Sequence, residues 1–301
     1  MIKILCIAGP TASGKTSRAV AEALAREGEV ISVDSRQVYR GLDIGTEKVT
    51  TEEMRGVPHH LIDIRDASER YSAGDFVQDV TRLIKDISAR GKLPILAGGT
   101  HFYFDALLRG LPMGTDENVP LREELEKVPT EELYARVCRA DARRASELDP
   151  RNRRRLIRAL EIIAANGMVP PRPWMDTTCP STDVWTSTVH ETSQYAVEWI
   201  VIEPPREILR ARIDARLAET FQKGLIEEVR RVREEVGDER LNELGLEYKI
   251  IGEYLRGERT EGSLFPVLSS KLWHYARRQK AWLRKLGNET ITATPSHLGK
   301  N

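Results

Sequence analysis

The chain has 301 residues, 40% apolar and 31% charged, long enough to bury a full core and too apolar to be disordered or fibrous. Its 46 Lys and Arg are balanced by 46 Asp and Glu, so no overall basic excess marks a nucleic-acid binder. No apolar run approaches the ~18 residues of a membrane span, which excludes a membrane protein.

The start Met1-Ile2-Lys3-Ile4 reads directly into a strand, with neither signal nor transit peptide. The cysteines Cys6, Cys138 and Cys179 lie far apart without C-x-x-C spacing; they fit a reducing cytoplasm and argue against zinc. The apolar run from Ile2 to Ala8 predicts the first strand, and a helix-forming stretch runs through Arg26. Between them stands Gly9-Pro10-Thr11-Ala12-Ser13-Gly14-Lys15-Thr16, the G-x-x-x-x-G-K-[ST] spacing of a phosphate-binding loop. The glycines let backbone N–H groups turn towards a phosphate, Lys15 neutralises charge, and the Thr16 hydroxyl can reach a Mg²⁺. The motif alone leaves open which phosphate compound binds and whether phosphate is transferred, hydrolysed or released.

Val30-Ile31-Ser32-Val33 predicts a short buried strand ending in Asp34-Ser35-Arg36-Gln37-Val38-Tyr39. Polar residues at the carboxyl ends of parallel strands converge on one edge, so Asp34 is a candidate for chemistry beside the phosphate; its structural alternative is a helix N-cap. Loop-rich sequence follows, with adjacent His59 and His60 but no further ligand at metal spacing. Tyr71 to Phe76 caps an amphipathic helix to about Arg90, with Phe76, Val80, Leu83, Ile84 and Ile87 on one face. The next strand, Leu93 to Ala97, ends in Gly98-Gly99-Thr100, where a substrate can pass close to the backbone. It ends without the metal-holding acid usual in nucleotide hydrolases.

From Pro112 the pattern changes. Residues 113–195 read as a helical insertion domain, irregular and Pro-rich towards its exit, between two parts of a catalytic core, 1–112 and 196–287, with a disordered tail over 288–301. Helices are expected at about 205–236, 242–256 and 263–286. Arginines crowd between Arg139 and Arg158, and a second basic cluster lies between Lys271 and Lys285. Each is either a solvated helix face or an electrostatic footprint. The fold class is α/β: a parallel sheet containing the phosphate loop, flanked by helices, with a helical insertion.

GPTASGKT, DSRQVY, DIGTEK with VPHHLID, YSAGDF, AGGT followed by Tyr103, LDPRNRRRLIRALE, KGLIEEV and RRQKAWLRK occur in that order. Together they resemble the tRNA dimethylallyltransferase (tRNA isopentenyltransferase) family, of bacterial type. The resemblance implies transfer of a dimethylallyl group from dimethylallyl diphosphate to N6 of the adenosine 3′-adjacent to the anticodon, position 37, in a tRNA anticodon stem-loop. It implies a cytoplasmic monomer. Residues Gly9 to Thr16 would hold the diphosphate, with Thr11 and Thr16 beside phosphate or Mg²⁺. Asp34 would accept a hydrogen bond and then a proton from the adenine amine, with Ser35, Arg36 and Gln37 near the tRNA. Thr100 matches a position at the reaction channel. Arg122 and the stretch Arg154, Arg155, Leu156, Ile157 and Arg158 match tRNA-contacting positions, and Arg216 matches a basic residue that stabilises the diphosphate. Glu247 stands where the family usually has glycine. The competing readings are a small-molecule kinase that uses ATP, with the insertion as a lid, and an RNA-binding module whose phosphate loop is only regulatory.

Overall fold

The computed structural model describes residues 1–111, 118–170 and 195–286. The chain divides into two compact units, one from Met1–Phe104 and the chain from Asp183 onward, the other within Asp105–Thr182. The tail read over 288–301, most of the Pro-rich stretch, residues 113–117 and Cys179 lie outside the described residues.

The first unit begins with β1 (Ile2–Ala8), α1 (Lys15–Arg26), β2 (Gly28–Val33), α2 (Thr51–Met54), β3 (His59–His60), α3 (Ala73–Ala89), β4 (Leu93–Gly98) and the start of α4 (His101–Arg109). The second unit holds α5 (Val119–Leu125), α6 (Thr130–Ala140), α7 (Ala142–Ser146) and α8 (Arg153–Asn166). The first unit then resumes with β5 (Tyr195–Val201), α9 (Arg206–Gln222), α10 (Leu225–Leu241), α11 (Leu246–Leu255) and α12 (Leu264–Leu286).

The strands form a parallel sheet in the order β3-β2-β4-β1-β5. Every residue of β2 is buried, as are Ile4 to Ala8 of β1, the near-continuous apolar run expected of a parallel sheet covered on both faces. On one face Ala19, Val20 and Ala23 of α1 pack on Leu5, Ile7, Val30 and Ile95. The register sets Ala8 and Val33 both opposite Gly98, so three strands end level and the segments after them emerge at one edge. Gly98 is needed there: a Cβ on it would stand 2.1 Å from the Val33 carbonyl oxygen.

The start of α3 is a capping box in which the Ser72 hydroxyl accepts from the Asp75 N–H and the Asp75 carboxylate accepts from the Ser72 N–H. Phe76, Val80, Ile84 and Ile87 are its buried face. Two expectations are corrected. The loop-rich stretch contains a short edge strand, β3, whose two residues are too few to show alternation. The single helix expected over 205–236 is two, broken at Lys223 and Gly224.

The second unit has its own core, with Leu125, Leu133, Val137, Leu156, Ile157 and Ile162 among its members. Leu156 and Ile157 are 0% and 2% exposed, so their side chains pack inward rather than meeting a nucleic acid. Arg153 is also architectural: its guanidinium donates to the carbonyls of Leu125, Glu126 and Val128, at and just beyond the end of α5. No described helix is long and apolar enough to cross a membrane.

Candidate active site

The level strand ends deliver three segments to one pocket. The first is the loop between β1 and α1. Gly14, at its end, adopts φ of +89° as the N-cap of α1, a left-handed conformation that glycine takes without a steric penalty. The Thr11 N–H donates to Oε1 of Gln279, 2.9 Å away, and Nε2 of Gln279 donates to the Gly99 carbonyl at 2.9 Å. Gln279 is 3% exposed. One buried amide on α12 therefore joins the loop to the end of β4.

Lys15 donates to the Pro10 carbonyl at 2.7 Å. Burial, and then the neighbouring Arg216, push its ammonium down to about 8, against the opposing pull of Asp34 and Glu47. An anion bound beside it would hold that proton more firmly.

The second segment follows β2. Oδ1 of Asp34 accepts from the N–H groups of Arg36 (2.8 Å) and Gln37 (3.4 Å), closing a turn. No helix follows, so Asp34 caps a turn rather than a helix. Oδ2 accepts no hydrogen bond among the described residues. The Gln37 side chain braces the loop: Nε2 donates to the carbonyls of Thr46 and Glu47, and Oε1 accepts from the Ser32 hydroxyl.

The third segment follows β4. The Thr100 N–H donates to the Val33 carbonyl, and its hydroxyl accepts from the Ser35 N–H at 3.1 Å. Thr100 thus holds the turn that carries Asp34. His101, next in the chain, stacks on Trp282 with ring centroids 4.3 Å apart. Burial, with Lys15 adding to it, pushes its imidazole down to about 4, so it is neutral at pH 7.

Arg216 of α9 donates to the Thr11 hydroxyl and forms an ion pair with Glu47. Thr11, Ala12, Lys15, Thr16, Asp34, Gln37 and Arg216 line one pocket, with Thr46, Glu47, Gly99, Tyr275 and Gln279. Of the expected residues, Gly9, Pro10, Ser13 and Gly14 shape the loop, while Thr100, Ser35 and Arg36 lie off the lining. Arg122, Arg154, Arg155 and Arg158 belong to the second unit. There the buried Glu161 accepts from Arg122 at 2.8 Å and Arg158 at 3.1 Å; Arg154 and Arg155 are exposed.

Sequence reasoning missed Thr46, Glu47, Tyr275 and Gln279. The last two form an i, i+4 polar pair, which marks a shared helix face but not what that face meets. Glu247 adds a carboxyl nearby. Burial first, and then Glu47, push it up to about 7, against Arg216. Burial also raises Glu47, outweighing Arg216 and Lys15, and raises the Tyr275 hydroxyl, with Asp34 and Glu247 adding to it. Two cations, a half-buried carboxyl set and a helix N-terminus can bind an oligophosphate and take a proton beside it.

Most of the chain's length has counterparts among known proteins. The IPP transferase family model matches residues 37–286. The chain is 39% identical over 289 residues to a tRNA dimethylallyltransferase of Anaeromyxobacter sp. strain Fw109-5, covering 95% of this chain and 92% of that protein. Among solved structures, it resembles the full-length tRNA isopentenylpyrophosphate transferase of Bacillus halodurans at 36% identity and a TM-score of 0.71, covering 99% of this chain and 92% of that one. It also resembles a eukaryotic dimethylallyltransferase described as acting on tRNA, at 25% identity and a TM-score of 0.81, over 97% of this chain and 73% of that one.

Proposed function

Because the chain belongs to the IPP transferase family, we propose that it is a tRNA dimethylallyltransferase, moving the dimethylallyl group of dimethylallyl diphosphate to N6 of adenosine 37 in tRNA and releasing diphosphate. The observation that carries this reading is that the Asp34 carboxylate shares one pocket with Lys15 and Arg216 at the start of α1. The relatives lend no support to the kinase alternative.

The adenine N6 amine is a weak nucleophile, because its lone pair is delocalised into the ring. Asp34 accepts a hydrogen bond from it and takes a proton as the bond from N6 to the allylic carbon forms. The carbon–oxygen bond breaks and its electron pair leaves with the diphosphate, where Lys15 and Arg216 stabilise the developing charge. Thr100 keeps the Asp34 turn in place through Ser35. Among the described residues no group of three His, Cys, Asp or Glu is placed to hold a metal. The pocket's donor set, the Thr16 hydroxyl with the Asp34 carboxylate, still fits Mg²⁺, which takes few protein oxygens and completes its shell with phosphate and water. Thr16 would hold it, and it would neutralise charge on the diphosphate.

The target base must leave its stack, at a cost of a few kcal/mol. Arg154 and Arg155, exposed on α8, offset that cost by contacting the anticodon stem-loop backbone, while the expected contacts Arg122 and Arg158 are held on Glu161. The setting proposed is a cytoplasmic monomer.

Labelled dimethylallyl diphosphate and purified tRNA, with and without ATP, test the reading. The expected result is isopentenyladenosine among the tRNA nucleosides by mass spectrometry, with no nucleotide present. An absolute need for ATP, or tRNA that stays unlabelled, overturns it.

A further inference from the structure

Glu47 sits at φ of +53°, a left-handed backbone conformation for a residue with a side chain. Such a conformation persists only where the surroundings fix it, and here they do. The carboxylate of Glu228, 3% exposed, accepts from the N–H groups of Asp43 (2.9 Å), Ile44 (2.8 Å) and Gly45 (2.9 Å), and from the Tyr248 hydroxyl (2.7 Å). On the other side of Glu47, Lys48 bonds to Asp43 and Asp63. The Gln37 amide donates to the Glu47 carbonyl itself, at 3.3 Å. The segment from 43 to 48 is thus a rigid arm anchored on α10, with one carboxylate aimed at Arg216.

Nη2 of Arg216 serves both Glu47 and the Thr11 hydroxyl. Among the described residues Nη1 and Nε make no hydrogen bond, which leaves these two donors for an anion in the loop. A long side chain held at one nitrogen by a fixed carboxylate loses little freedom when the anion arrives, and a misplacement of about 1 Å would cost on the order of 10²-fold in rate.

We propose that Glu47 is a positioning residue: carried on the arm that Glu228 anchors, it holds the Arg216 guanidinium over the loop where the departing diphosphate is stabilised. The inference rests on the proposed function for its catalytic part and on the pocket alone for its anion-binding part. An alternative geometry, Glu47 competing with the diphosphate for Arg216, needs a movable carboxylate. The anchoring of both flanks of Glu47 argues against that.

The test is a double-mutant cycle of Glu47→Ala and Arg216→Ala, read by calorimetric binding of inorganic diphosphate with Mg²⁺ and by the kcat and KM of dimethylallyl transfer. Glu47→Ala is expected to weaken diphosphate binding about tenfold and to lower kcat by a similar factor, with KM for tRNA unchanged. In the Arg216→Ala background it should change either quantity less than about twofold, the non-additivity of residues acting as one unit. Glu47→Gln, which still accepts a hydrogen bond, should recover binding to within about threefold of wild type. Equal effects of Glu47→Ala in both backgrounds, or tighter diphosphate binding in that variant, overturn the proposal. Should Glu47→Ala fail to fold, the cycle of Glu47→Gln with Arg216→Lys measures the same coupling, and additive effects there overturn the proposal equally. A protein that moves no dimethylallyl group yet shows the coupling in diphosphate binding refutes the proposed function and leaves the clamp standing.

Discussion

The pocket at the strand ends and the helical unit within 105–182 use charge in opposite ways. In and beside the pocket, charged groups are gathered at a cost: burial pushes Lys15 down and Glu247 and Glu47 up, each away from its charged form. In the helical unit, three of the arginines are used for structure. Arg153 closes the end of α5, and Arg122 and Arg158 share the buried Glu161. A crowd of arginines is therefore not one electrostatic footprint. What each does is set by the burial of its partner.

The largest effect expected is in the pocket. Lys15→Ala should lower transfer by about 10³-fold or more, since it removes the principal counter-charge of the leaving diphosphate, while circular dichroism and thermal unfolding stay near wild type. Because Lys15 loses its proton near pH 8, wild-type affinity for diphosphate should fall as pH rises past that value. Next comes Asp34→Asn, expected to cost about 10²-fold in kcat, the usual scale for a positioned proton acceptor. Asparagine keeps an oxygen to accept from the Arg36 N–H, so single-turnover rates report the lost proton acceptor rather than a lost turn.

The sharpest test of the cost of the pocket is Glu247→Gln. With its carboxyl raised to about 7 from an ordinary 4.5, the folded protein binds the proton more tightly than the unfolded chain. Stability therefore falls as pH rises between those two values. The glutamine variant should be more stable at pH 8 by about 2 kcal/mol, and no more stable at pH 4. Urea titrations at both pH values decide it; an unchanged or lower stability at pH 8 would remove the cost argued for this carboxyl.

On the other side of the comparison, Arg153→Ala should destabilise the fold by about 1–2 kcal/mol through its lost carbonyl contacts, and leave the salt dependence of tRNA binding alone. The exposed pair should behave in reverse. Arg154→Ala with Arg155→Ala should leave stability unchanged and flatten the plot of log affinity against log salt by about one to two. If Arg153 moves the salt slope and the exposed pair moves the melting temperature, the contrast between the two arginine roles fails.

The residues near the loop were legible because strand, glycine turn and helix follow one another within a short stretch. Asp34 and Thr100 could be placed beside Lys15 because parallel strands bring their carboxyl ends together. The burial of Leu156 and Ile157 was not read: the resemblance set them among tRNA-contacting positions, whereas both pack into the core of the second unit. A helix of about 3.6 residues per turn cannot offer every residue from Arg154 to Arg158 to one tRNA surface. Glu47 and Gln279 were not legible. Their roles depend on which distant group each one meets, the Arg216 guanidinium for Glu47 and two backbone groups for Gln279, and nothing local in DIGTEK or RRQKAW encodes the partner.

The amide of Gln279 carries a consequence for how the protein is made. It meets the Thr11 N–H across 268 positions of chain, so the brace of the phosphate-binding motif is synthesised long after the motif itself. Until α12 leaves the ribosome the loop has no partner to hold it against β4, and contacts of such separation close slowly. Over those 268 residues of synthesis the nascent chain carries its most recognisable motif without a finished site. Competence to bind diphosphate then arrives in one step, together with α12.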